Sequence, residues 1–404
     1  MKILVISPTP THPVTAGNRA RILALVQALQ GLGHEVHVAL ATLGVADLDA
    51  MRTLLGSNLH VLRCQLPYAV GGVLPRLRRK WLRAIGSEQA YLWALDEYYD
   101  TQLSPQIAAL CAQIAFDAVF VEYVFMSKAL DAIAPGVLKI LDTHDRFALR
   151  HRSFLQAGQT PQWFSTSVAE ETAGLRRADF VVAIQEQEAE IFSRQLGAGH
   201  TQVVTVGHLL SVQQRIVPAT TSSAVFLASD NPINVDGAQY FIDNVLPLVR
   251  REKADFRFIL AGDVGNKAGA GNGAVVRLGR VDSVADAFRN AALSVNPVRM
   301  GTGLNIKMLE ALACGVACVS SQTGSRGLER YHQQAFATVP DNDPGVMAQA
   351  VLRLLNDRPA AVRLADAGLR LVQEWNAVQL SGLVRVLAAA TANVQSPLSR
   401  CNVA

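Results

Sequence analysis

Short apolar runs alternate with amphipathic stretches along almost the whole chain, and run length separates strands from helices. The strand-like runs of the first half are Lys2–Ser7, Glu35–Thr42, Leu59–Leu66, Ala118–Glu122, Val137–Asp142, Phe180–Ile184 and Val203–Val206. Helical periodicity fills Gly17–Leu32, Leu103–Ile114, Phe125–Ile133, Ser167–Ala178 and Gln185–Leu196. After Gly207 the period is lost through 208–223, where Pro218 and a Thr/Ser cluster mark a linker. A second alternation follows: strand Ala224–Ser229, helix Asn234–Arg251, strand Phe256–Ala261, strand Val275–Val281, helix Val284–Ala292, then strands Leu293–Val298 and Val316–Ser320 around one more helix. Helices Pro344–Asn356, Pro359–Glu374 and Ala377–Ala390 close the chain, and a disordered tail is expected after Ser396. Strands and helices in alternation predict two α/β domains, each a mostly parallel sheet covered on both faces. Expected boundaries are 1–207, a linker 208–223, a second domain 224–376 and a final helix with its tail 377–404.

Two regions break the pattern. Residues Gly71–Tyr99, rich in Arg, Trp and Tyr, read as an inserted helical excursion. Gly262–Gly273 is a loop glycine-rich enough to be mobile, and it lacks the Gly-Lys-Ser/Thr of a Walker phosphate loop.

The stretch between Val298 and Val316 carries the densest chemistry. Gly301 and Gly303 form a glycine turn between a strand and a helix, so phosphate can approach the amides of Thr302, Gly303, Leu304 and Asn305 at a helix N-terminus. On the helix, Leu304, Met308, Ala311 and Leu312 cover one side, and Ile306, Leu309 and Ala313 most of the rest. Lys307 and Glu310 share the remaining arc. Two adjacent charges on a nearly all-apolar helix need a reason. Lys307, leaning toward the N-terminus, faces the turn; Glu310, one turn deeper, reaches what the phosphate is attached to. The plain alternative is a Lys–Glu ion pair on a wetted face.

Gly-Thr-Gly-Leu-Asn-Ile-Lys-Met-Leu-Glu-Ala-Leu-Ala-Cys-Gly followed by a strand resembles the donor segment of retaining glycosyltransferases of GT-B fold, family 4. Many members carry a glutamate eight positions before the one matching Glu310; here that position is Thr302. The resemblance implies two Rossmann-like domains facing a cleft, and transfer of a sugar from a nucleoside diphosphate to a glycan, lipid-linked or other acceptor. No metal cofactor is expected. Lys307 and Glu310 fall on the donor diphosphate and ribose, with Arg299 as a second cation for the diphosphate. Gly279, Arg280 and Val281 match the segment that lines the nucleobase. A sugar-nucleotide epimerase or hydrolase, or a non-catalytic nucleotide-sugar binder, is the other reading of the same site.

In the first half, polar residues appear abruptly after the apolar strand Val137–Asp142. That carboxyl edge is where open α/β sheets place ligands. His144 resembles the family histidine that contacts the transferred sugar, and Asp142 or Asp145 is placed to orient its ring. Arg146, Arg150 and Arg152 suit either an anionic acceptor or solvent, and Glu122 also ends a strand. Gly17, Asn18 and Arg19 open the first helix where the family commonly has a Gly-Gly turn facing the cleft; a plain tight turn is the alternative.

Composition narrows the setting. Half of the 404 residues are hydrophobic, 17% are charged and the net charge is +4, which gives no argument for nucleic acid. Five scattered cysteines lack metal-ligand spacing and suit a reduced, cytoplasmic protein. The N-terminal strand is too short for a signal peptide, and no apolar run approaches a membrane span. Arg76-Leu77-Arg78-Arg79-Lys80-Trp81-Leu82-Arg83 packs cations around Leu and Trp, which suits contact with an anionic membrane face; a solvated helix or an acceptor patch is the alternative. The expected role is glycan assembly for the cell envelope, peripheral to the cytoplasmic membrane.

Overall fold

The computed structural model describes residues 1–394 apart from 43, 65–72, 157, 159, 162–163, 211–220, 270–272, 282, 290 and 302–303. The chain forms two compact units, one mainly Met1–Val14, Asn18–His208 and the chain from Gln379, the other mainly Leu209–Val378. Each is a Rossmann-like parallel sheet with helices, the GT-B type of α/β fold.

In the first unit β1 (Lys2–Ser7), β2 (Glu35–Leu40), β3 (Leu59–Val61), β4 (Ala118–Glu122), β5 (Leu138–Asp142), β6 (Phe180–Ala183) and β7 (Gln202–Thr205) pair in the order β3-β2-β1-β4-β5-β6-β7. The order reverses between β1 and β4, so the segments leaving their carboxyl ends diverge and open a crevice there. Alternation along β1 divides the core. Ile3 and Val5 join Leu25, Val26 and Leu29, with Leu383, Val386 and Leu387 from the last helix. Leu4 and Ile6 face the opposite layer, which holds Phe125, Phe147, Phe164 and Phe192.

The second unit orders β8 (Ser223–Leu227), β9 (Arg257–Ala261), β10 (Val275–Gly279), β11 (Leu293–Asn296), β12 (Cys318–Ser321) and β13 (Ala337–Val339) as β10-β9-β8-β11-β12-β13. Its reversal lies between β8 and β11, directly before Arg299 and the glycine turn.

Several elements differ from the sequence expectation. Asn234–Arg251 is not one uniform helix: Pro232–Tyr240 and Leu246–Glu252 flank a π-helical segment, Phe241–Val245. Pro247 has no N–H to give the preceding turn, which favours a wider one. The two helices expected after Pro359 are a single helix, Arg358–Val394. The break expected between Glu374 and Ala377 does not form. Instead Asn376 clamps the backbone of Leu210 at 2.7 and 3.0 Å, and Gln379 Oε1 accepts from Gly207 N at 2.6 Å. Phe125–Ile133 is 3₁₀-helical, over Val124–Ala132.

The glycine-rich loop after β9 is pinned rather than loose in its described part. Arg277 donates to the carbonyls of Gly265, Ala268 and Gly269, and Gly269 N donates to Gln239. Gly262 is required there, since a Cβ would lie 2.4 Å from the Ala228 carbonyl oxygen. The inserted excursion is helical as expected, over Val73–Ala84 with short 3₁₀ turns at Glu88–Tyr91 and Leu95–Glu97. Most of the linker and the tail after Ser396 lie outside the described residues. No described helix is long and apolar enough to cross a membrane.

Candidate functional site

In the second unit, β11 runs into a turn whose described residues are Met300, Gly301, Leu304 and Asn305, and Ile306–Ala313 then forms the helix. Thr302 and Gly303 lie outside the described residues. Gly301 has φ +113°, and a Cβ would meet Arg326 Nη2 and Ile233 Cδ1, each at 3.2 Å. No other residue suits that backbone and that space. Leu304 and Asn305 are buried, and the Asn305 Oδ1 has no partner among the described residues.

Lys307 and Glu310 are half-buried, and neither side chain has a hydrogen-bond or ion-pair partner among the described residues. The surface ion pair weighed from the sequence is therefore not what forms. Surrounding protein pushes Lys307 down to about 8, with the Arg326 guanidinium adding repulsion. Desolvation pushes Glu310 up to about 7, partly offset by Lys307. Left alone, the pair costs stability. Glu310 binds its proton more tightly folded than unfolded, so its contribution falls as pH rises from 4.5 to about 7. Lys307 is the reverse: its penalty is full below about 8 and fades toward 10.5.

Arg299 is already engaged. It forks onto Asp236 at 2.8 and 2.9 Å, donates to Asn342, and stacks 4.3 Å from the Tyr240 ring. Gly279 ends β10, two strands removed from β11, and its carbonyl accepts from Gly262 N at 2.7 Å. Arg280 beside it pairs with Asp263 at 3.0 Å, and Val281 follows.

In the first unit, four elements meet at the carboxyl ends of β4 and β5. His144 Nε2 hydrogen-bonds Glu122 Oε2, so the carboxylate against its ring is that of Glu122. Asp142 is taken instead by Arg21, whose Nη2 lies 2.8 Å from Oδ1 and also donates to the Val206 carbonyl. Asp145 pairs with Arg150 at 3.2 Å. Burial, then repulsion from Asp142, raises Glu122 above the usual carboxylate range, and His144 opposes the rise. Glu122, Asp142 and His144 have ligand-type atoms within 4.8 Å of one another, but Arg21 already neutralises Asp142.

The His144 ring stacks on Tyr123 at 4.0 Å, and Asn18 Nδ2 donates to the Tyr123 hydroxyl at 2.9 Å. Tyr123 and His144 both take positive φ, 73° and 59°. Such backbone is costly for these residues and concentrates at functional sites. Gly17 starts the helix that carries Asn18, and Arg19 there binds the carbonyls of Pro13 and Val45 at 3.2 and 3.0 Å. Arg152 pairs with exposed Glu88.

Two family profiles match in tandem: "Glycosyl transferase 4-like domain" over residues 16–207 and "Glycosyl transferases group 1" over 221–357. The chain belongs to the group 1 glycosyl transferases. Comparison with curated proteins gives no match. Among solved structures, HepE of Anabaena in complex with UDP and glucose aligns with TM-score 0.64 at 12% identity, over 98% of this chain and 100% of that one. TarM of S. aureus aligns with TM-score 0.68 at 9% identity, over 95% and 99%. Sucrose-phosphate synthase from Thermosynechococcus elongatus aligns with 0.67 at 18%, over 96% and 100%. At such identities the likeness is one of fold. By family, the glycosyltransferase is a nucleotide-sugar-dependent enzyme.

Several residues of the two candidate clusters escaped the sequence reading. Arg326 backs the glycine turn, with Nη1 on the Thr323 carbonyl at 2.6 Å, yet it lies after the following strand and no local motif marks it. Tyr123 and His208 approach His144, and Arg21 holds Asp142 two residues before it, each from a separate element. His208 is driven down to about 3 by burial and by Arg21, and so stays neutral. The positive φ of Tyr123 has no signature in the sequence.

The lowered Lys307 value gives a direct test. A bound diphosphate favours the charged ammonium, so binding near pH 8.5 is expected to take up a fraction of a proton. Calorimetry in buffers of different ionisation enthalpy measures this. Lys307→Met should abolish the uptake; unchanged uptake would place the titrating group elsewhere.

Proposed function

We propose that the protein transfers a sugar, with retention of configuration, from a nucleoside diphosphate to a glycan or lipid-linked acceptor in cell-envelope polysaccharide assembly. The observation that carries this reading is the unpartnered Lys307–Glu310 pair behind the Gly301 turn. The first-turn amides of the Ile306–Ala313 helix and the Lys307 ammonium oppose charge developing on the departing diphosphate. Glu310 accepts from the ribose hydroxyls. Arg299, fixed by Asp236, adds a second cation. His144, locked by Glu122 and Tyr123, positions the sugar or the accepting hydroxyl. Asn18 and Asp145 are assigned to the acceptor side, and Arg280 with its neighbours to the nucleobase. Metal is not called on for these roles, so turnover is expected to persist in a chelator.

HepE has been solved with UDP-glucose, and TarM with UDP and α-GlcNAc-glycerol. UDP-sugars are therefore the first donors to try. A nucleotide-sugar panel scored by thermal shift identifies the donor, because specific binding stabilises by mass action. Product analysis with and without acceptor then separates transfer from hydrolysis or epimerisation, and the anomer formed tests retention. Absence of a shift with every donor would overturn the proposal.

His144 belongs to the other unit from the Lys307 helix. His144→Ala is expected to cut turnover by roughly 10²-fold or more, as misplacement of a reacting group does, while the nucleoside diphosphate Kd stays within about twofold. Equal loss of nucleotide binding would remove His144 from the sugar.

A further inference from the structure

The helix Val73–Ala84 presents its apolar side outward. Its inner side is fixed by Leu82, which is buried, and by Arg79, whose guanidinium lies 3.3 Å from the Trp93 ring centroid and pairs with Glu97 at 3.6 Å. Leu77, Trp81 and Ile85 follow at intervals of four, one above another on the opposite side, and are 57%, 61% and 56% exposed. Ile85 continues the helical hydrogen bonding, its N–H donating to the Trp81 carbonyl. At about 100° per residue, Arg78 falls on one border of this stripe and Lys80 on the other, and both are exposed. Arg83, also exposed, stands above Tyr91.

A helix on a water-facing surface normally turns such a stripe into the core. Among the described side chains, the core side is held by an arginine and one leucine, while three large apolar side chains face outward between cations. We propose that this face seats the protein on an anionic lipid bilayer. Trp81 and its neighbours would enter the headgroup region, and Arg78 and Lys80 would meet lipid phosphates. Charge decides the occupant: an apolar stripe bordered by cations on both sides matches an acidic interface better than a second copy of itself, where like charges would meet.

The test uses the full-length chain and vesicles of phosphatidylcholine with or without phosphatidylglycerol. Co-sedimentation is expected to be roughly tenfold or more stronger with phosphatidylglycerol and to weaken as salt rises. Brominated lipid should quench wild-type emission and leave Trp81→Phe largely unquenched. Leu77→Ser with Ile85→Ser should lose most binding, and Arg78→Gln with Lys80→Gln should lose the lipid-charge preference. Thermal melting matched to wild type confirms that these exposed substitutions leave the fold intact. Three outcomes would each overturn the proposal: no co-sedimentation, binding indifferent to Leu77 and Ile85, or a concentration-dependent dimer that the Leu77/Ile85 variant abolishes. No sugar donor is present, so failure here leaves the proposed transfer reaction untouched.

Discussion

Replacing Lys307 by Met is expected to lower turnover by roughly 10²–10³-fold while weakening nucleoside diphosphate binding by less than about tenfold. The asymmetry follows from when the charge is needed. Negative charge on the diphosphate rises as the sugar leaves, so the ammonium gains most in the transition state. Its other neighbours do not compete for it, because it has no ion-pair partner among the described residues and Arg326 repels it. Glu310→Gln is expected to behave oppositely. Ribose hydroxyls do not change during the reaction, so that variant should lose ~1.5–3 kcal/mol of nucleotide binding with turnover at saturation little altered. Calorimetry and initial rates on both variants read the two effects separately. Wild-type behaviour in both would remove the donor from this helix and the proposed function with it.

Arg21→Met is expected to destabilise the first unit by about 3–5 kcal/mol, the cost of stranding a buried carboxylate. Asp142 is 2% exposed and Arg21 4%, and Glu122 adds a second buried carboxyl group beside them. Adding Asp142→Asn to Arg21→Met should recover a good part of the loss, since it removes the uncompensated charge. Chemical denaturation followed by a probe in the first unit is the measurement. A loss below ~1 kcal/mol in the single variant would mean that water or a rearranged neighbour replaces the guanidinium.

The fold was legible because its signals are local and redundant. Parallel strands read as apolar runs, and twelve of the thirteen strands among the described residues coincide with such a run. β13 was missed because its three residues, Ala337–Val339, are too few to show a period. The helix proposed to bind the donor stood out for a related reason: Lys307 and Glu310 are conspicuous on an otherwise apolar cylinder. The first-unit network was only half legible. His144 stood out as a polar residue just past a strand and Asn18 as part of the turn that opens the first helix, whereas the group joining them, Tyr123, reads as one more aromatic in an apolar run. Asp142 and Asp145 were the two carboxylates placed to orient the His144 ring, and Asp145 pairs with Arg150; Asp142 is taken elsewhere. The fold hands it to Arg21 instead, 121 positions distant, and gives His144 to Glu122 on the neighbouring strand. Sequence separation hides pairings that adjacent strands make obvious.

The last helix has a consequence for how the protein is made. Leu383, Val386, Leu387 and Ala390 complete a layer of the first unit's core whose other members, from Ile3 to Val206, are synthesised much earlier. A ribosome must reach Ala390 before that layer can be sealed. Until then Val5, Val26 and Val38 present an open apolar face, the kind of surface that chaperones hold and that drives aggregation. The first unit is therefore the earlier to begin and the later to finish. A fragment ending near His208 should be insoluble unless the segment from Gln379 is supplied, either in trans or by joining it ahead of Met1.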